Sequence, residues 1–488
     1  MLNEQMYIGG KWVDASDGAT MTISNPSTNE AFLTVPRGTV ADANAAVAAA
    51  RAAFEGPKWS RLSPARRGRL LLKVAELLER DRDEFARLEV QNSGKTISEA
   101  HTDVQMAIES FAFYGGAAPT ISGRTVPTMG SFFTYTVREP VGVCAQIIPW
   151  NYPIMMAAWK IAPALACGNT VVLKPASLTP HTALRLAKLI EEAGIPGGAL
   201  NVITGPGASI GSVLTQHPDV DKVAFTGSTE TGRGIMAAAA GTIKKVSLEL
   251  GGKSPALVFA DADLDMAING ALASVFRNAG QMCTARTRIL VERSIYASFL
   301  DRFANAARAL RVGDPMAKET QMGALISPDQ LETVASYVAI GRDEGAELVC
   351  GGEQVSTGLG GNFYAPTVFA DERRDLRIVQ EEIFGPVAVV QPFDDEAQAI
   401  ASANDSIYGL AATIWTTNID RAHRVARGVR AGNVWVNTWV DGLTETPFGG
   451  YKQSGLGREL GLEAIELYTQ VKSVGVSLDA RMGSYYRD

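Results

Sequence analysis

Cys283 stands in "NAGQMCTARTR" (278–288), among amides, a glycine and two arginines. Most unpaired cysteines are small core hydrophobes, so this polar company marks a candidate nucleophile. The other three cysteines have bland settings: Cys144 in the apolar run "VGVCAQIIP", Cys167 in the small-residue helix end "APALACGN", and Cys350 before Gly351 and Gly352. A thiolate that attacks a carbonyl creates an oxyanion, which needs preorganised donors, and a later hydrolytic step needs a base. Asn151 in "IIPWNYP" offers a neutral amide donor at a strand end, although asparagine is equally a turn former. Glu249 in "LELGGKSP" sits between leucines, where burial raises a carboxyl pKa toward that of a general base. A buried structural carboxylate paired with a lysine is the alternative there.

Two glycine-rich turns follow apolar runs. "VITGPGASIG" carries Gly205, Gly207 and Gly211, one residue longer than the usual dinucleotide fingerprint. "VAFTGSTETG" carries Gly227, Ser228, Thr229 and Gly232 ahead of a helix signal. Either turn fits a pyrophosphate held by backbone N–H groups at a helix N-terminus, and either fits a plain strand-to-helix turn. A P-loop is excluded at "EVQNSGKT", because Glu89 stands where the first glycine must be.

The elements that must hold these residues are legible as a pattern. The chain has 488 residues, too many for one hydrophobic core, so two or three domains are expected. Residues 5–40 read as short strands with turns at "IGGKW", "SDG" and "NPSTNE", and residues 40–118 as helices. "TVADANAAVAAARAAF" opens on a Thr/Asp cap signal, and residues 63–94 form one long amphipathic stretch. From residue 141, short apolar runs such as "TVVLKP" and "KVAFTG" alternate with helical stretches such as "TPHTALRLAKLIEEAG". That alternation predicts a doubly wound parallel sheet. A second α/β series over about 255–440 predicts a second domain and a cleft between the two. "SFFTYTVREPVG" and "YTQVKSVGVSL" alternate in polarity, as a hairpin arm and an added edge strand would.

Composition excludes several classes. A formal charge of −7 argues against bulk nucleic-acid binding, and the basic "PARRGR" reads as a solvated helix face. Four cysteines without a C-x-x-C pair predict a reducing, cytoplasmic setting. Histidines 101, 181, 217 and 423 form no ligand spacing, so no metal is expected. "MLNEQMYIGG" lacks the basic and apolar regions of a signal peptide, and no stretch approaches the roughly 20 apolar residues of a membrane span.

The chain resembles the aldehyde dehydrogenase superfamily over nearly its whole length. The motifs "PWNYP", "FTGSTETG", "LELGGKSP", "FRNAGQMCTA", "EEIFGPV" and "PFGGYKQSGLGRE" stand in family order. The resemblance implies a Rossmann-like cofactor-binding domain (1–121 and 141–251), an α/β catalytic domain (252–450) and a small β oligomerisation arm (122–140 and 468–488). It implies that Cys283 attacks an aldehyde to give a thiohemiacetal, whose oxyanion the Cys283 N–H and Asn151 hold. Hydride transfer to the nicotinamide then leaves a thioester, which water activated by Glu249 hydrolyses. Lys160 and Glu459 match residues linked to proton relay behind Glu249. Gly227 and Ser228 match pyrophosphate contacts, Gly207 the adenine side, Lys174 the adenine ribose, and Glu382 and Phe384 the nicotinamide ribose and ring. Ile147, Pro149, Trp150, Thr226, Leu250 and Gly251 complete the cofactor set. Tyr152, Met156, Trp159, Trp439 and Phe448 match the aldehyde tunnel, and self-association as a dimer or tetramer is implied.

Two features bear on specificity. Many members that prefer NAD carry a glutamate where this chain has Ser177, which removes the repulsion of a 2′-phosphate and implies that NADP is accepted as well. Tyr152, Trp159 and Phe448 match an aromatic box found in betaine-aldehyde and aminoaldehyde members, where cation–π attraction holds an ammonium group. Asp441 or Glu445 would add charge to such a box, and Gly442 would leave the tunnel roomier. A neutral aliphatic or aromatic aldehyde is the favoured expectation. Glu249 weighs against a CoA-acylating member, the lack of a nearby histidine against a phosphorylating Cys–His enzyme, and Cys283 itself against a non-catalytic scaffold.

Overall fold

The computed structural model describes residues 1–440 and 442–479. An eight-stranded sheet runs in the order Gly455–Leu456, Lys245–Glu249, Lys222–Thr226, Val143–Ile147, Thr170–Lys174, Leu200–Val202, Met6–Ile8, Lys11–Val13. Its five middle strands are parallel, and the flanking strands join antiparallel. Val143–Ile147, Thr170–Lys174 and Lys222–Thr226 are buried at every residue, which is why they read as near-continuous apolar runs rather than alternating ones. The strand order reverses between Val143–Ile147 and Lys222–Thr226. In doubly wound sheets that reversal opens a crevice at the carboxyl ends of the strands, and ligands bind there.

A second sheet has seven strands in the order Glu347–Cys350, Thr367–Ala370, Val387–Phe393, Arg288–Glu292, Pro255–Val258, Ala411–Trp415, Asn433–Val436. Only Glu347–Cys350 runs antiparallel. A third sheet joins Thr125–Val126, Phe132–Pro140 and Thr469–Ser477, and the last two pair antiparallel from Thr469 opposite Pro140 to Ser477 opposite Phe132. The expected arm extends to residue 488, and its end at 480–488 lies outside the described residues. Among the described residues no helix is long and apolar enough to cross a membrane.

Several local details depart from the sequence pattern. The amphipathic stretch 63–94 is two helices, Pro64–Arg80 and Arg82–Ser93. Asp81 leaves helical geometry (φ −102°, ψ 16°), and Arg80 holds its carboxylate at 2.7 Å. The amino-terminal strands split: Met6–Ile8 and Lys11–Val13 extend the first sheet, while Leu2–Asn3, Ala31–Pro36 and Thr20–Ser24 form a sheet of their own. Residues 451–467, which the motif spacing assigned to no domain, send Gly455–Leu456 to the edge of the first sheet beside Lys245–Glu249. The capping box at Thr39 and Asp42 is present and starts the helix Val40–Glu55.

The helix Leu264–Phe276 leads into the Cys283 loop and lies against the strand Ala411–Trp415. A Cβ on Gly270 would sit 2.2 Å from Trp415 Cζ2. Gly270→Ala regains about 1 kcal/mol of helix propensity but must displace an indole, and overpacking of this kind costs about 1–3 kcal/mol. The expected net result is a lower Tm in thermal unfolding. An unchanged or higher Tm would show that Trp415 yields without strain.

Candidate active site

Cys283 is delivered by an unusual piece of backbone. After Phe276, the residues Asn278 (φ 49°), Ala279 (φ 52°) and Gly280 (φ 72°) are all left-handed. Asparagine and glycine tolerate this region, whereas alanine is strained there. At Gly280 no other residue fits, because a Cβ would lie 2.1 Å from the Gly385 carbonyl oxygen. Glu99 accepts the Asn278 N–H at 2.7 Å, and Gln281 bonds the Asn278 carbonyl at 2.9 Å and accepts the Ile326 N–H at 2.9 Å. The turn is thereby held from three sides and presents Cys283 half-buried. The two arginines that follow serve the fold. Arg286 is buried and donates to Thr413 at 3.2 Å, and Arg288 donates to the carbonyls of Lys253, Ser402 and Ala403.

Cys283 opens into a cavity of about 740 Å³ at the reversal point of the first sheet. Asn151 and Glu249 line the same cavity, although they are far apart in the chain. Asn151 follows the strand Val143–Ile147, and its side-chain amide donates to the Gln281 carbonyl at 3.0 Å, two residues before Cys283. Glu249 ends the strand Lys245–Glu249. Both its carboxylate oxygens are buried and lack a hydrogen-bond partner. Burial pushes its pKa well above the usual carboxylate range, the Glu459 carboxylate adds to the rise, and Lys160 opposes it. Lys160 and Glu459 are ion-paired behind Glu249, outside the cavity wall.

The cofactor residues divide into two groups. Pro149, Trp150, Thr226, Gly227, Ser228, Leu250, Gly251, Glu382 and Phe384 line the cavity. Ser228 caps the helix Thr229–Ala239, accepting the Thr231 N–H at 3.2 Å. Trp150 and Phe384 meet edge-on at 5.2 Å. Glu382 accepts the Gly252 N–H at 2.9 Å, and burial raises its pKa to about 7. Ile147, Lys174, Ser177 and Gly207 lie outside that wall. Gly207 opens a π-helical turn, Gly207–Gly211, and Ser177 Oγ donates to the Gly205 carbonyl at 2.9 Å. Lys174 is buried, donates to the Pro175 carbonyl at 3.0 Å, and has its pKa lowered to about 8 by burial.

Tyr152, Met156, Trp159, Trp439 and Phe448 all line the cavity, and Trp159 meets Phe448 at 5.2 Å. The Lys95 ammonium lies over the Tyr152 ring at 4.4 Å, so one face of that ring already has a cation. Gly442 lines the tunnel opposite Trp159. A Cβ there would lie 2.7 Å from Trp159 Cζ2, so the glycine lets its loop close onto the indole. Asp441 lies outside the described residues, and Glu445 is not among the lining residues. Sequence reasoning missed a wall formed by Thr102, Gln105, Met106 and Glu109 on the helix Ile97–Ala117, and it missed Arg277. The helical spacing of the first four was available, but nothing in their types pointed to a cavity. Arg277 stood inside the quoted motif "FRNAGQMCTA"; its guanidinium lies over the Trp439 ring at 4.9 Å.

A doubly wound sheet with a nucleotide-sized crevice, opposite a cysteine with an amide and a buried carboxylate, defines a dinucleotide-dependent enzyme with a thiol nucleophile. The aldehyde dehydrogenase family model matches residues 12–474. An aldehyde dehydrogenase of Emericella nidulans is 48% identical over 470 residues, covering 96% of this chain and 94% of its own length. The NAD+ complex of a Bacillus cereus aldehyde dehydrogenase superposes with a TM-score of 0.96 at 46% identity, covering 98% of this chain and 97% of that one. Betaine aldehyde dehydrogenase of Staphylococcus aureus, in complex with NAD+, gives a TM-score of 0.98 at 39% identity, covering 100% of this chain and 97% of that one. The chain belongs to the aldehyde dehydrogenase family.

The charges around Glu249 yield a test with a definite sign. A general base works only when ionised, so hydrolysis is lost as pH falls through the raised pKa. Glu459→Gln removes a like charge and leaves Lys160 unopposed, so the acid limb of the kcat–pH profile should move to lower pH. Lys160→Met removes an attraction, so that limb should move to higher pH. Limbs that stay in place in both variants would separate the pair from Glu249.

Proposed function

We propose that this NAD(P)-dependent oxidoreductase converts a neutral aliphatic or aromatic aldehyde to its carboxylic acid through a thioester on Cys283. One observation carries the reading: the Glu249 carboxylate is buried without a hydrogen-bond partner in the cavity that also holds Cys283 and Asn151. An unpartnered buried carboxylate costs about 1–3 kcal/mol or more, and a bound water would offset that cost.

The residues fit a nicotinamide dinucleotide. The Thr226 hydroxyl is a buried orphan at the end of its strand, and the capped helix Thr229–Ala239 begins three residues on. Gly227 and Ser228 would hold the pyrophosphate, Glu382 the nicotinamide ribose, and Phe384 with Trp150 the ring. Lys174, Ser177 and Gly207 would surround the adenosine end, with Ile147, Leu250 and Gly251 shaping the crevice. When bound, the cofactor supplies the hydride acceptor.

The Cys283 thiolate attacks the aldehyde carbon, forming a C–S bond and placing negative charge on the oxygen. The Asn151 amide and the Cys283 N–H hold that charge. After oxidation a thioester remains on Cys283. Glu249 takes a proton from water as the oxygen adds to the thioester carbon, and the C–S bond breaks to release the acid and restore the thiolate. Lys160 and Glu459 lie on the route by which Glu249 passes its proton on.

Support for a neutral substrate comes from cations already seated on the wall aromatics. Lys95 covers one face of Tyr152, and Arg277 lies over Trp439. A second reading, betaine aldehyde or an aminoaldehyde, draws on the name of the Staphylococcus aureus relative and on the Trp159–Phe448 pair. Assembly with further copies of the chain is supported by Phe132, Phe133, Val471 and Val476, which leave apolar surface exposed on the third sheet. The sparse cysteines favour a cytoplasmic setting.

Two measurements test the reading. Cys283→Ala should abolish aldehyde oxidation, whereas Glu249→Gln should keep a first burst of NADH and lose steady-state turnover. Retained turnover in the cysteine variant would overturn the scheme. An aldehyde panel run with both cofactors addresses specificity. We expect neutral aldehydes to exceed betaine aldehyde in kcat/KM, and NADP to be used with NAD favoured by less than about 100-fold. Ser177→Glu should raise that ratio, and a wild-type ratio above it would refute the role of Ser177.

A further inference from the structure

At the tunnel wall, reaching behind it from Asp103, lies a cluster of buried charges that the scheme above does not use. Lys95, Glu89 and Asp103 are each 1% exposed or less. The Lys95 ammonium bonds Asp103 and lies 3.6 Å from Glu89. Such clusters are poor sources of stability, since well-packed apolar groups in their place are often neutral or better. What the cluster holds is therefore informative. Lys95 Nζ donates to the backbone carbonyl of Asn151 at 2.9 Å. The same carbonyl accepts from Asn278 Nδ2 at 3.0 Å. Glu89 accepts the Ile154 N–H at 3.0 Å and the Thr182 hydroxyl at 2.6 Å, which fixes the first turn of the helix Pro153–Ala166. Asn278 begins the left-handed run that leads to Cys283. One carbonyl oxygen thus ties the segment bearing the amide to the segment bearing the nucleophile.

We propose that Lys95 is a positioning residue for the oxyanion site: its ammonium fixes the Asn151 carbonyl and so aims the Asn151 side chain at the oxygen that becomes charged on Cys283. The inference rests on Asn151 being the oxyanion donor. An ammonium suits this task because a charge-assisted bond is shorter and stronger than a neutral one. It donates to the Asn151 carbonyl and to Asp103, with the Glu89 carboxylate 3.6 Å away, which fixes the direction of the bond. Asn278 adds a second, neutral bond from the other segment. The arrangement holds the amide before substrate arrives, which is what oxyanion stabilisation requires.

The test compares wild type, Lys95→Met, Asn151→Ala and the double variant at saturating cofactor, reading the rate of the first turnover. Asn151→Ala should slow it about 100- to 1,000-fold. Lys95→Met should slow it about 10- to 100-fold, the scale of a misplaced group, with KM for NAD unchanged. In the Asn151→Ala background Lys95→Met should add no further loss, because its target is gone. Alkylation of Cys283 by iodoacetamide develops no oxyanion, so Lys95→Met should leave its rate unchanged. If Lys95→Met alone does not fold, Lys95→Met/Asp103→Asn replaces the ion pair with neutral groups and takes its place. A normal first turnover in Asn151→Ala would remove the oxyanion reading itself. A slow Asn151→Ala with a normal Lys95→Met, losses that multiply in the double variant, or alkylation that slows with turnover would overturn the role of Lys95 alone.

Discussion

The site depends on how closely the loop after Glu249 approaches the segments that bear Cys283 and Glu382. A Cβ at Gly252 would lie 2.1 Å from the carbonyl oxygen of Cys283, and one at Gly251 would lie 2.2 Å from the Glu382 carboxylate. The strand that ends at Glu249 in the first sheet therefore runs directly into the Cys283 loop and the Glu382 carboxylate. Neither contact tolerates a side chain without movement of backbone or of the Glu382 carboxylate. The spacing of Glu249 from Cys283 follows from this approach, and the two sheets act as a frame that maintains it.

Several locally costly groups lie at that approach. Glu249 is buried with unpartnered oxygens, Thr226 has an orphan hydroxyl, and Ala279 has a left-handed backbone. Each is a local cost, and each sits where a ligand or a reacting group would need it. The surrounding structure is correspondingly over-determined. Strands buried at every residue, capped helices and doubly bonded carbonyls hold these groups in states that an isolated segment would not adopt.

Legibility in the sequence followed the range of the interactions. Cys283, Asn151 and Glu249 stood out because each contrasts with its immediate neighbours. The parallel strands stood out because complete burial writes itself as an unbroken apolar run. Lys95 and the wall on Ile97–Ala117 were hidden, since their importance arises from contacts across 56 residues or more, as between Lys95 and Asn151. The break at Asp81 was hidden for a related reason. Periodicity continues through it, and the helix ends because a carboxylate is held by neighbouring arginines. Arg277 was visible in the motif, but its place in the tunnel depends on Trp439, which comes from a distant loop.

The short antiparallel bridge between Phe448 and Glu459 joins two parts of the protein that could have been independent. Phe448 N–H donates to the Glu459 carbonyl at 2.6 Å, and Glu459 N–H donates back at 2.7 Å. One residue of that bridge is an aromatic wall for the aldehyde, and the other is the carboxylate paired with Lys160. On the proposed function, substrate fit and thioester hydrolysis share this backbone. Reshaping the tunnel at Phe448 for bulkier aldehydes would then act on the segment that carries Glu459, so a redesign of scope would also bear on turnover.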